Sequence, residues 1–190
     1  MPRWEQGADD RLREAALQLF LEHGYENVTV AQITERAGLT RRTFSRYFAD
    51  KRDVLFAGSE RLPDALADAV EKADAALTPF QALMTALEQV GEMLADRVAP
   101  HAAQRRAITS GSAELQEREL TKFAAVAAAV DAALRQRGVA PLSAELLANV
   151  GVAIFRTAFA RWVDEPDAAI TLPDRMREAA AELAHALDVH

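Results

Sequence analysis

Residues 28–51 read V-T-V-A-Q-I-T-E-R-A-G-L-T-R-R-T-F-S-R-Y-F-A-D-K, and two helix starts are spelled inside them. Thr29 with Gln32 three residues on has the form of a capping box, and Val28 with Ile33 frames it as a hydrophobic staple. The same grammar repeats at Thr40, with Leu39 and Phe44 as its apolar pair. Between the starts, Ala37-Gly38 offers the left-handed residue that ends a helix sharply. Two short helices joined through a glycine turn make a helix-turn-helix.

The second of these helices divides into two faces. At 100° per residue Phe44 and Phe48 share one side with Tyr47 beside them, while Arg42 and Arg46 fall opposite, flanked by Thr43 and Ser45. Arginine pairs bidentately with guanine O6 and N7, and Thr or Ser reaches phosphate or a thymine methyl. Lys51 and the amides after Asp50 open a further helix, a place for a phosphate. From Arg36 to Arg52 there are six basic residues against one acid. A solvated helix face carries such charges too, but the doubled caps around the glycine turn favour a duplex partner. The expected DNA-contacting set is Thr29, Thr40, Arg41, Arg42, Thr43, Ser45, Arg46, Tyr47 and Lys51.

Over residues 8–56 the chain closely resembles the DNA-binding segment of TetR-type transcriptional repressors. The residues that carry the likeness are Gly24-Tyr25, Thr29, Ile33, Ala37-Gly38, Thr43, Tyr47-Phe48, Lys51 and Leu55. The resemblance implies a homodimeric all-α repressor released from its operator by a small ligand.

Composition bounds the rest. Half of the 190 residues are hydrophobic, enough for a core in one or two small domains, and aromatics are few at 6%. With no cysteine there is no disulfide and no thiolate-ligated metal. Residues 1–6 lack the apolar region of a signal peptide, and no apolar run is expected to reach the length of a bilayer span. A cytoplasmic protein without a membrane partner is the expectation. The net charge of −7 is uneven: residues 1–56 hold nine basic and nine acidic side chains, residues 57–190 thirteen and twenty. A locally basic edge on an acidic body still binds DNA, because phosphate contacts act within a Debye length of roughly 8–10 Å.

The periodicity along the chain predicts an all-α fold: an N-terminal three-helix bundle with the helix-turn-helix over 1–57, joined to a larger helical effector-binding and dimerisation domain over 58–190, about nine helices. Residues 9–23 form the first helix, behind a loose arm carrying Arg3 and Trp4. A connector helix follows Lys51, breaks near Gly58 and restarts around Pro63. Further helices are expected over 66–77, from the Thr78-Pro79 cap to Pro100, over 101–108 and over 113–137, the next one capped by Ser143 and the last over 174–187.

The helix after Ser143 is apolar nearly all round, and such a helix must be covered on nearly every side. The final helix covers only part of it. The expected remainder is a symmetric four-helix dimer interface using Leu146, Val150, Ile154, Met176, Ala180, Leu183 and Leu187. A well-buried core helix of a monomer is the other reading. A dimer would place two recognition helices about 34–36 Å apart, or a multiple, on a pseudo-palindromic operator of double-stranded DNA.

No catalytic constellation is present. The four histidines have no metal-pair spacing, and neither a glycine-rich phosphate loop nor a G-x-S-x-G elbow occurs. The chain is read as a non-enzyme without metal or cofactor. A pocket between helices would be lined by Leu83, Met84, Leu87, Ile108, Phe123, Phe155, Phe159 and Trp162, residues that plain core packing would use equally. The stretches R-R-A-I-T-S-G-S-A-E-L-Q-E-R-E-L-T-K-F-A-A and F-R-T-A-F-A-R-W resemble an actinobacterial TetR subgroup. That likeness implies an acyl-CoA-like effector in an apolar tunnel, with Arg105, Arg106, Arg118 or Lys122 near its mouth. A multidrug-responsive efflux repressor would read similarly. An effector-independent DNA-binding protein would show no closed cavity.

Overall fold

The structure is a computed structural model that describes residues 7–56, 59–167 and 169–188. Among the described residues ten α-helices run in the order α1 (Ala8–His23), α2 (Val30–Ala37), α3 (Arg41–Tyr47), α4 (Asp53–Phe56), α5 (Leu62–Lys72), α6 (Pro79–Val98), α7 (Ala102–Ser110), α8 (Ala113–Gln136), α9 (Pro141–Asp164) and α10 (Leu172–Asp188), with no strand. The all-α class is as expected. The arm with Arg3 and Trp4, and Gly58 in the connector, lie outside the described residues.

The chain forms two compact units, one of Met1–Glu60 with Ala103–Glu119, the other of Arg61–Ala102 with Leu120–His190. The domain boundary expected at residue 57 did not foresee the second segment of the first unit. Ile108 of α7 and Leu115 of α8 are buried in one core with Leu12, Phe20, Ile33, Phe44 and Leu55. Three further links inside this unit hold that segment: Arg105 donates to the Leu55 carbonyl, the Ser112 hydroxyl donates to Glu26 Oε1 at 2.8 Å, and the Arg52 guanidinium meets Glu114 at 3.2 Å.

The second unit packs α5, α6, α9, α10 and the body of α8 around Leu66, Leu83, Leu87, Val126, Leu134 and Phe155. Its helix ends follow local chemistry. Thr78 and Gln81 make a full capping box at the start of α6. Pro141 sits in the first turn of α9, so that helix begins before Ser143. Helix α5 stops at Lys72 instead of continuing to Leu77, because Asp74 folds the next residues into a turn by accepting from the Ala76 amide. Arg137 takes up the carbonyls left open there, donating to those of Val70, Ala73 and Asp74 at 3.2, 2.6 and 2.9 Å. Pro63 lies in the first turn of α5, the restart expected of it. One expectation is corrected: α9 is long and apolar enough, by length and composition, to cross a bilayer. Its inner side, with Ala144, Ala148, Gly151 and Phe155, is buried in the core of its unit, which accounts for that composition.

Candidate nucleic-acid interface

Helix α2 begins on the capping box read from the sequence. The Gln32 amide donates to the Thr29 hydroxyl at 3.3 Å, and the Thr29 amide donates to Gln32 Oε1 at 2.8 Å. Gly38 closes it at φ 64° and ψ 36°, where a side chain would be strained, and a Cβ there would stand 3.2 Å from the Arg11 guanidinium. Arg11 itself donates to the Ala37 carbonyl, so α1 holds the turn from behind. Thr40 then caps α3, accepting from the Thr43 amide at 3.1 Å, with the two hydroxyl oxygens 3.0 Å apart.

Helix α3 is only seven residues long, too short to persist without tertiary support. Phe44 and Phe48 supply it: both are buried, with ring centroids 5.5 Å apart. The opposite face projects. Arg41, Arg42, Ser45, Arg46 and Tyr47 are exposed, and Thr43 is half-buried. Arg41 and Arg42 have no polar partner among the described residues. Arg46 donates to the Tyr47 hydroxyl at 2.9 Å, with its guanidinium 4.8 Å from that ring's centroid. Tyr47 therefore stands with the arginines instead of inside the packed face.

The remaining basic residues of the stretch are occupied. Arg36 meets Glu22 through two hydrogen bonds of 3.0 and 2.8 Å, which hold the Glu22 carboxyl below its usual range. Arg52 binds Asp50, and that bond, followed by the Asp53 and Arg52 amides, holds the Asp50 carboxyl low as well. Lys51 departs from its expected phosphate role. Its ammonium donates to the carbonyls of Tyr25, Glu26 and Val28 at 2.8, 3.4 and 3.1 Å and lies 4.2 Å from the Tyr25 centroid. It ties the chain after α3 to the turn before α2. Burial, with Glu114 adding to it, pushes the Tyr25 phenol up, so the ring beneath Lys51 stays neutral. The roles of Arg11, Glu26 and Ser112 were invisible in the sequence, since their partners lie 26 and 86 residues away.

The expected effector residues separate. Leu83, Leu87, Phe123 and Phe155 line a cavity of about 10 Å³ in the second unit, together with Leu66 and Gly151. A Cβ on Gly151 would stand 3.0 Å from Leu83 Cδ1, so the glycine lets α9 approach α6 closely. Met84, Phe159 and Trp162 are half-buried at the edge of that core. Ile108 belongs to the core of the first unit. The Arg105, Arg106 and Arg118 proposed for a tunnel mouth also belong to the first unit. There, burial pushes the Arg105 guanidinium down to about 10, Arg13 adding repulsion and Glu119 opposing it.

The expected interface residues separate too. Leu146 and Leu187 are exposed at 58% and 72%, and Val150, Ala180 and Leu183 are half-buried. Ile154 and Met176, at 3% and 0%, are inside their own protomer and unavailable to a copy. Met176 fills the space that Gly91 leaves open: a Cβ on that glycine would stand 2.8 Å from Met176 Cε.

A cap-bounded helix-turn-helix presenting two arginines without a polar partner among the described residues has the build of a DNA-binding element. Residues 12–57 match the model of the tetR family of bacterial regulatory proteins. The HTH-type transcriptional regulator TcmR of Streptomyces glaucescens is 40% identical over 81 residues, 43% of this chain and 36% of that protein. SmeT, the repressor of the Stenotrophomonas maltophilia multidrug efflux pump SmeDEF, shares the fold with a TM-score of 0.59 at 23% identity, over 94% of this chain and 89% of SmeT. Thermus thermophilus FadR, a repressor solved with lauroyl-CoA, does so with a TM-score of 0.53 at 19% identity, over 96% of each. The likeness covers the helix-turn-helix segment, residues 12–57, and this chain spans 36% of TcmR's own length.

Proposed function

We propose that this regulator is a cytoplasmic, ligand-released repressor that binds a pseudo-palindromic operator as a homodimer. The observation that carries the DNA-reading part is the exposed, unpartnered pair Arg41 and Arg42 on a helix braced by two buried phenyl rings. Arg42 reads a base edge; Thr43, Ser45 and Tyr47 with Thr29 and Thr40 meet the backbone; Arg46 does either once it leaves Tyr47.

The effector of this reading is an apolar or amphipathic small molecule taken between the helices of the second unit. The residues around the cavity are carbon-rich, and FadR, which shares the fold, was solved with an acyl-CoA. The described cavity has room for about one water, whereas ligand pockets run to roughly 300–1,000 Å³. In this reading the closed form is the DNA-competent one, and ligand selects an opened form by its differential affinity. The small cavity equally favours a second reading, a repressor that needs no effector.

Fragments of the source genome retained by the purified protein provide the DNA for the test. With those fragments, Arg42→Ala is expected to cost about 1–3 kcal/mol of specific binding and to relax preference at one base pair. Unchanged affinity and preference in a mobility-shift assay would remove Arg42 from the reading set.

A further inference from the structure

Phe123 forms part of the cavity wall, and its ring sits 6.0 Å from that of Phe155. Two cations converge on it: Lys122 Nζ lies 4.3 Å from the ring centroid and Arg156 Cζ 5.4 Å. Each is the sequence neighbour of a cavity-lining phenylalanine, Lys122 beside Phe123 on α8 and Arg156 beside Phe155 on α9.

Among the described residues, most arginines of its unit are engaged elsewhere, whereas Arg156, like Arg61 before α5, is not. Arg135 binds Asp131, Arg137 binds carbonyls at the end of α5, Arg161 meets Glu165, Arg175 meets Glu178 and Arg177 meets Glu88. Arg156 is exposed and makes no hydrogen bond or ion pair among the described residues, although residues 57–190 carry a marked excess of acids. A guanidinium held over an aromatic face keeps its hydrogen-bonding edges open to a second group.

We propose that Lys122 and Arg156 form the headgroup end of the effector site, so that the ligand is an amphiphile whose apolar body ends in an anion, a carboxylate or a phosphate. This rests on reading the adjacent cavity as the effector site. The wall of that cavity is made of Leu, Val, Ala, Gly and Phe and offers no side-chain hydrogen-bond donor. The headgroup of an entering chain is therefore met at the Phe123 end, where the two cations converge on the ring. An anion there gains charge-assisted, bidentate hydrogen bonds at the rim of an apolar, low-dielectric wall. A neutral headgroup gains much less, and a cationic one meets repulsion.

The full-length protein is titrated calorimetrically with dodecanoate, dodecyl phosphate, dodecan-1-ol and dodecyltrimethylammonium, each below its micellar concentration. At least one of the anions is expected to bind about tenfold tighter than the alcohol, the factor expected of one charge-assisted hydrogen bond. The ammonium compound binds weakest. The order of the two anions identifies the headgroup. Arg156→Gln and Lys122→Gln each reduce anion affinity several-fold and leave alcohol affinity unchanged, while Arg156→Lys retains part of the preference. Equal affinity of anions and alcohol, or a preference that survives the double Gln variant, overturns the headgroup assignment while sparing the cavity. Binding of none of the four overturns the cavity reading and the headgroup with it.

Discussion

Lysine 51 shows how one side chain can be legible in type and misleading in role. The sequence offers a cation just past the recognition helix, which reads as a phosphate contact. In the folded chain three carbonyls and the Tyr25 ring surround its ammonium. Lys51→Met is accordingly expected to lower the unfolding free energy by about 1–3 kcal/mol in urea titrations, the range for hydrogen bonds to a charged group. The salt dependence of DNA binding should stay the same; a slope flatter by about one would restore the phosphate role. Asp50 carries a pH prediction. Arg52 first, then the amides of Asp53 and Arg52, hold its folded carboxyl below the unfolded value. The stabilisation is therefore complete above the unfolded pKa and is lost as pH falls through the folded one. Asp50→Asn keeps an acceptor for those two amides and loses the charge paired with Arg52, so it should cost about 0.2–1 kcal/mol at neutral pH, the range of a solvent-exposed ion pair. Wild type and variant should begin to converge in denaturation curves as pH falls below about 4 and meet only beneath the lowered folded pKa. A gap that persists at low pH would remove ionisation from the cause.

At the scale of elements, the recognition helix depends on its ends and on one packed face. Its seven residues gain little from propensity, so the Thr40 cap and the buried Phe44 and Phe48 determine whether it forms. The turn before it is equally constrained. Gly38→Ala places a Cβ at φ 64° and against Arg11, and should cost about 1–2 kcal/mol. The expected signature is a lower thermal midpoint with DNA affinity reduced in proportion to the folded fraction; an unchanged midpoint would mean that the turn relaxes freely. Local rules described α2, α3 and the start of α6 correctly because every cap partner lies within three residues. The same rules misplaced the ends of α5 and α9. The end of α5 is taken up by Arg137, more than sixty residues away in the chain.

For the whole molecule, assembly is the open quantity that sequence periodicity raised and burial refines. An apolar helix with several stripes suggested a broad interface. The structure withdraws Ile154 and Met176 into the protomer and leaves Leu146 and Leu187 exposed. If the proposed homodimer uses this face, Leu146→Glu should yield a monomer in sedimentation experiments and lower operator affinity steeply, since one recognition helix alone would hold each half-site. A variant that stays dimeric would move the interface elsewhere. The fold of the second unit should be unaffected, because Leu146 contributes little to its core.

The order of the helices, the helix-turn-helix and its arginine face were legible in the linear chain, because caps, staples and a glycine turn act over a few residues. The inclusion of residues 103–119 in the DNA-binding unit, the occupation of Lys51 by carbonyls, the transfer of Ile108 out of the effector set and the inward turn of Ile154 and Met176 were decided only by tertiary packing. The reason is physical: periodicity states that a side chain is apolar and which stripe it occupies. Which of several apolar surfaces covers that stripe depends on contacts between segments dozens of residues apart, and these leave no mark on local spacing.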